Sequence, residues 1–165
     1  MHEISFDTFP IPREAIPTIL EAHGIAVNDY ARAYMSHPRF QPQETRSRMT
    51  VALCTLHELG FEQGAVYAEI LPRARALGLG PCQPSTGLYL RLAYTDQPQS
   101  RNSVLSGAHR SPDGAIVVLS ECLEEDDSFP KGLYLRHVDG TLWLRGYVCD
   151  QTYRWAPEDV FAFER

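Results

Sequence analysis

The spacing of apolar residues divides the chain into three stretches of different character. In the first, Met1 to Pro42, five prolines keep any helix short. Pro12 suits the first turn of a helix with Ala15, Ile16, Ile19 and Leu20 as its apolar stripe, and Gly24 lies just past its end. Asn28 is placed to cap a second helix, Asp29 to Ser36, with Tyr30, Ala33 and Tyr34 inward. Pro38 closes it, because the residue before a proline resists the α conformation. This stretch reads as a small helical arm.

In the second stretch, Glu44 to Cys82, Met49 to Leu59 fits two periods. Val51, Leu53 and Thr55 alternate as in a strand, while Met49, Ala52, Leu53 and Leu56 line one side of a helix. The glycines and the clear helix that follow favour a strand at Thr50–Leu56. That helix is Ala65 to Leu77, with Val66, Ile70, Ala74 and Leu77 on one side, Pro72 inside it and Gly78 to end it.

The third stretch, Gly87 to Arg165, reads as antiparallel strands: Leu88–Tyr94, Ser103–Ala108, Ala115–Cys122, Gly132–Val138, Thr141–Cys149 and Asp159–Phe163. Asp139-Gly140 between two alternating runs is the strongest turn signal, since both central positions of a tight hairpin need positive φ. The pattern predicts one α+β domain: short N-terminal helices, one β-α unit, then a mostly antiparallel sheet of about five to six strands.

Alternation also sorts the chemistry of these strands. Leu88, Leu90 and Leu92 share one face, and Tyr89, Arg91 and Ala93 the other. Leu133 and Leu135 oppose Tyr134 and Arg136. Leu142, Leu144 and Val148 oppose Trp143, Arg145 and Tyr147. Three segments thus repeat one rule, aliphatic on one face and aromatic plus arginine on the other. The expected site is Tyr89, Arg91, Tyr134, Arg136, Trp143, Arg145 and Tyr147, with Asp96 on the neighbouring Asp96-Gln97-Pro98 turn. Flat rings and forked guanidinium donors suit a protein partner or a small anionic ligand. The same residues also serve as cross-strand pairs that stabilise a sheet without any ligand.

Composition changes this picture little. The chain has 165 residues, 44% hydrophobic, and a net charge of −6. Of its 15 basic residues only Lys131 is lysine, so arginine supplies nearly all the cationic chemistry. The acidic balance argues against sequence-independent nucleic-acid binding, which depends on neutralising phosphates. Neither a secretion signal nor a membrane span is legible, which points to a cytoplasmic protein with reduced thiols. Cys54, Cys82, Cys122 and Cys149 form no C-x-x-C pair, and the six histidines follow no H-x-x-x-H order, so no metal site is indicated. Gly78-Leu79-Gly80 lacks the third glycine of a dinucleotide loop, and no cofactor is implied. Cys54 and His57 would meet only on a helix, as a thiolate–imidazolium pair; in an apolar run Cys54 reads as core. The acidic run Glu121 to Asp127 lacks calcium-loop spacing and reads as a solvated loop.

One further pattern is visible. Glu58-Leu59-Gly60-Phe61, Gly64-Ala65-Val66-Tyr67, Glu69-Ile70, Arg73-Ala74, Leu77-Gly78-Leu79, Cys82, Leu90-Arg91-Leu92, Tyr94 and Asp96-Gln97-Pro98 occur in that order. Leu142-Trp143-Leu144, Trp155, Asp159 and Phe161-Ala162-Phe163 follow. This order resembles an uncharacterised family of small bacterial proteins over roughly the last two-thirds of the chain. The resemblance implies a bacterial or phage source and one compact domain, and it lends no activity. The residues favour a non-catalytic binding module. The alternative is a small enzyme for a phosphate- or carboxylate-bearing substrate, in which Arg91, Arg136 and Arg145 hold the anion and Asp96, His109 or His137 moves the proton. A third reading is specific nucleic-acid binding by stacking on the same face.

Overall fold

Nine residues, Ser47–Thr55, form strand β3. Its first two residues are exposed, but Val51, Ala52, Leu53 and Cys54 are buried in succession, so both faces of the strand are covered. The computed structural model describes residues 1–102 and 111–165. In it β3 lies in a seven-stranded mixed sheet whose order is β1-β3-β9-β5-β6-β7-β2. The other members are β1 (His2–Thr8), β2 (Ile25–Val27), β5 (Ile116–Val118), β6 (Gly132–Val138), β7 (Thr141–Tyr147) and β9 (Val160–Glu164). Pairing is antiparallel except between β5 and β9 and between β2 and β7.

One face carries Val51, Leu53, Val118, Leu133, Leu135 and Leu144. It packs under α1 (Ile16–Ala22), α2 (Asp29–Ser36) and α4 (Thr86–Ala93). The other carries Ala52, Cys54, Val117, Phe161 and Phe163. It is covered by α3 (Tyr67–Ala76) and by a two-stranded ribbon of β4 (Ala65–Val66) and β8 (Arg154–Trp155). None of the described helices is long and apolar enough to cross a membrane.

The α+β class holds, but several elements depart from the sequence pattern. The arm is not purely helical. Its first residues make β1, an edge strand against β3, because Ile4, Phe6 and Thr8 alternate inward ahead of the prolines. The sheet has seven strands rather than five or six, since β1 and β2 join it. Leu88–Tyr94 is not a strand. It coils as α4, with Thr86 through Arg91 all buried, because a segment enclosed on every side shows no polar face to mark its period. Helix α2 has the expected bounds but turns Ala31, Tyr34 and Met35 inward and leaves Tyr30 and Ala33 exposed. Pro72 lies within α3 without ending it. The expected strand Ser103–Ala108 lies outside the described residues.

Asn28 fixes how α2 meets the sheet. Its Oδ1 accepts from Ala31 N at 2.9 Å, capping the helix, and from Gly146 N at 2.8 Å, while Nδ2 donates to Gly146 O at 3.0 Å. One side chain therefore caps α2 and extends the β2–β7 ladder past its last pair, Val27 with Leu144. A side chain at Gly146 would sit 2.6 Å from the Tyr30 carbonyl carbon, so only glycine admits the helix here.

The acidic loop folds around Lys131. This buried ammonium donates to Glu125 O at 3.3 Å and Asp126 O at 3.1 Å and pairs with Asp127 at 3.2 Å. Cys54 is a buried core thiol on β3, raised in pKa chiefly by burial, whereas His57 is exposed beyond the strand's end, so no nucleophile pair forms.

Candidate functional site

The β6–β7 hairpin places part of the expected surface as alternation requires. Asp139 (φ 51°) and Gly140 (φ 73°) make the tight turn, and the register sets Tyr134 opposite Arg145 and Arg136 opposite Trp143. These residues and Tyr147 share the face covered elsewhere by α3 and the ribbon. The cover is complete over Tyr147, which is buried, and partial over Tyr134, Trp143 and Arg145.

The three arginines that sequence reading groups together have separate fates. Arg91, on α4, is fully buried. Its Nη1 donates to Gln97 Oε1 at 2.5 Å and to Arg136 O at 3.5 Å, and its Nη2 donates to Tyr94 O. Burial lowers its pKa to about 10, which still leaves it charged at neutral pH. Arg136 is also buried, donating from Nε to Asp113 O at 3.2 Å and from Nη2 to Arg101 O at 2.8 Å. Both guanidinium groups are taken up by carbonyl oxygens and hold the 94–102 segment and Asp113 against β6.

Arg145 differs. Its Cζ lies 4.0 Å from the Trp143 ring centroid, a stacked cation–π contact. Among the described residues it has no carboxylate or hydrogen-bond partner, and its Nε is enclosed.

The other expected members are accounted for as follows. Tyr89 is buried on α4; its hydroxyl donates to Phe9 O at 2.7 Å and accepts from Gln43 N at 3.0 Å. Asp96 is exposed on its turn, and the buried residue there is Gln97, whose Nε2 donates to Gly114 O at 2.9 Å. His137 Nδ1 lies 2.6 Å from Gln97 O; a carbonyl can only accept, so this nitrogen carries the proton. His109 lies outside the described residues. The three-arginine anion site therefore does not assemble, and Tyr89, Arg91 and Arg136 leave the candidate surface.

The structure adds residues that the pattern did not flag. Next to Tyr134 is a cleft of about 250 Å³ whose walls include Tyr30, Tyr134, Tyr147, Tyr153, Trp155 and Ser111. Its rings meet at steep angles. Tyr147 and Trp155 are 5.5 Å apart at 90°, Tyr153 and Trp155 4.7 Å at 67°, and Tyr134 and Tyr147 6.5 Å at 59°. Tyr147 Oη, Trp155 Nε1 and Ser111 Oγ are buried with no hydrogen-bond partner among the described residues. Burial raises the Tyr153 phenol to about 12 and the Tyr147 phenol well above its ordinary value, so both are neutral. The alternation Tyr153-Arg154-Trp155 was the available signal for this wall, but β8 is two residues long and shows no run. Four larger grooves, of about 410 Å³ between α1 and α2, about 400 Å³ beside Asp159, about 330 Å³ beside Arg154 and about 320 Å³ beside Cys82, hold none of the aromatic or arginine residues of the expected site.

No protein-family model, curated protein or solved structure matches this chain, so the site is read from its own geometry.

Proposed function

We propose that the chain is a binding module whose contact surface is the Tyr134–Trp143–Arg145 patch of the β6–β7 hairpin, engaging an anionic group on a protein partner or small ligand. The observation that carries this reading is Arg145. It is a half-buried guanidinium laid on a tryptophan, with no counter-charge or hydrogen-bond acceptor among the described residues, whereas both terminal nitrogens of Arg91 and the Nε and Nη2 of Arg136 donate to internal oxygens. Burying part of a cation without a partner is costly. An incoming carboxylate or phosphate would supply bidentate, charge-assisted bonds. Trp143 beside it offers the rigid aromatic area typical of binding hot spots.

The test is affinity capture with the tagged full chain against its Trp143→Ala/Arg145→Ala variant, both checked by circular dichroism. Loss of a hot spot worth about 2 kcal/mol weakens binding roughly 30-fold, so the partner retained by the parent should be absent from the variant eluate. An unchanged set of captured species with an intact fold contradicts the reading.

A further inference from the structure

We propose that the free edge of β2 takes up an extended peptide segment of a protein partner, as an added strand whose residues alternate between apolar and acidic. The proposal rests on the Arg145 reading above and names the form of the partner.

Three observations carry it. The first is an open edge. Strand β2 ends the sheet and pairs only with β7. Among the described residues, no hydrogen bond outside that pairing reaches Ile25, Ala26 or Val27. The N–H and C=O groups on the outer side of β2 thus have no backbone partner there, and an extended chain laid beside them would supply one. The groove of about 410 Å³ between α1 and α2 touches all three residues of β2. Successive strand residues point to opposite faces, so a space that meets three in a row meets the strand along its edge.

The second is the contrast with the sheet's other edge. There β1 carries His2, Glu3 and Asp7, and Pro10 and Pro12 follow it. Glu3 pairs with Arg165 at 2.8 Å and Asp7 with Arg48 at 3.3 Å. Charged side chains and prolines guard an edge against strand addition. Ile25-Ala26-Val27 has neither. What limits β2 is its length, which allows an added strand only a few backbone bonds, so side chains must supply the rest of the affinity.

The third is what flanks this edge. Register sets Ile25 and Val27 level with Leu142 and Leu144, on the face under the helices, and Ala26 level with Trp143, on the face that bears Arg145. An added strand alternates in the same way. Its residues on the helix side would enter the groove, whose walls include Ile16, Leu20 and Met35, and so are apolar. Of the charged residues lining the groove, Arg13 is taken up by His37 O and Phe40 O and Arg32 by Asp29, while Glu21 repels an acidic side chain. The residues on the other side would pass over Ala26, which is too small to screen Trp143. They meet a guanidinium with no counter-charge among the described residues, and so are acidic. Two strand spacings, about 10 Å, separate the added backbone from β7, which favours glutamate over the shorter aspartate.

The test is amide NMR of the full chain titrated with acetylated, amidated pentapeptides X-Glu-X-Glu-X, where X is valine, leucine or phenylalanine. The controls are X-Lys-X-Lys-X and the backbone N-methylated form of each Glu peptide. At least one Glu peptide should saturate below about 1 mM and shift the amides of Ile25, Ala26 and Val27. It should bind about tenfold or more tighter than both controls. Ala26→Glu, which sets a carboxylate beside Trp143, should weaken the Glu peptide about tenfold; the peptide controls on the parent chain decide if this variant does not fold. Saturation that shifts Trp143 and Arg145 but spares the β2 amides, or equal binding of the N-methylated peptide, would overturn strand addition and leave the Arg145 patch standing. Edge binding with no preference for glutamate over lysine would overturn the proposal and the Arg145 reading together. No saturation by any peptide, or β2 amides that shift on dilution of the chain alone because a second copy holds the edge, would also overturn it.

Discussion

Residues 87–91 and 132–136 have the same sequence, Gly-Leu-Tyr-Leu-Arg, yet the first is the core of helix α4 and the second opens strand β6. The difference comes from their flanks and neighbours. The second copy runs into His137-Val138 and then the Asp139-Gly140 turn, whose positive φ values return the chain as β7 and lock it extended. The first is followed by Leu92-Ala93, which continue a helix readily, and the turn it then meets at Thr95-Asp96 has no positive-φ residue to return the chain as a hairpin. An eight-residue helix has little stability alone, so burial of six consecutive residues decides the outcome.

The two copies also touch. Gly87 lies against Leu133, where a β-carbon would stand 3.0 Å from Leu133 Cβ, and Arg91 reaches Arg136 O. The helical copy spends its tyrosine and arginine on the interior. The extended copy leaves Tyr134 half-buried beside Arg145 and Trp143. The same pentapeptide is thus scaffold in one place and candidate contact surface in the other.

Titration of the buried phenols is the broadest way to strain this division. Tyr34, on the inward side of α2 and in the core that also holds Tyr89, has its pKa raised by burial to about 12, and burial raises Tyr89 as well. A pKa above the unfolded value of 10.0 means the unfolded chain loses its proton first. The stabilisation is therefore complete below pH 10 and is lost as pH rises towards 12. For Tyr34 alone this amounts to about 3 kcal/mol. Denaturant midpoints measured from pH 8 to 11.5 should fall steeply above 10; a flat profile would mean these hydroxyls are solvated.

The arginines sharpen the contrast further. Arg91→Met removes donors to Gln97 and two carbonyls and should cost about 2–3 kcal/mol in equilibrium unfolding. Gly87→Ala is a smaller and more pointed case. Helix propensity alone favours alanine by about 1 kcal/mol, but crowding against Leu133 should reverse the sign to a net loss of about 1–2 kcal/mol. A gain in stability would show that the two copies are not in close contact. Arg145→Met should lie within about 0.5 kcal/mol of the parent, since no hydrogen bond to a described residue is lost.

Where one side of an element faces the core and the other does not, the hydrophobic pattern marks it. Helix α2 with its Asn28 cap and the β6–β7 hairpin are of this kind, and the shared face of Trp143, Arg145 and Tyr134 was legible through the Asp139-Gly140 turn. Leu88, Leu90 and Leu92 alternate as in a strand, but Thr86 through Arg91 are all buried, and where successive positions are all buried alternation carries no information. The fate of Arg91 and Arg136 was hidden for another reason. Nothing local distinguishes a guanidinium that will meet carbonyl oxygens from one that will meet a ligand. Gln97, which takes up Arg91, stands in the Asp96-Gln97-Pro98 turn, so that turn has a structural role that the sequence reading did not assign to it.

Arginine-selective labelling of the native protein with phenylglyoxal, read by mass spectrometry, tests the division between scaffold and surface most directly. The account predicts that Arg145 is modified in the folded state while Arg91 and Arg136 react only once the chain unfolds. Modification of Arg91 or Arg136 at the rate of Arg145, or protection of Arg145 alongside them, would contradict it.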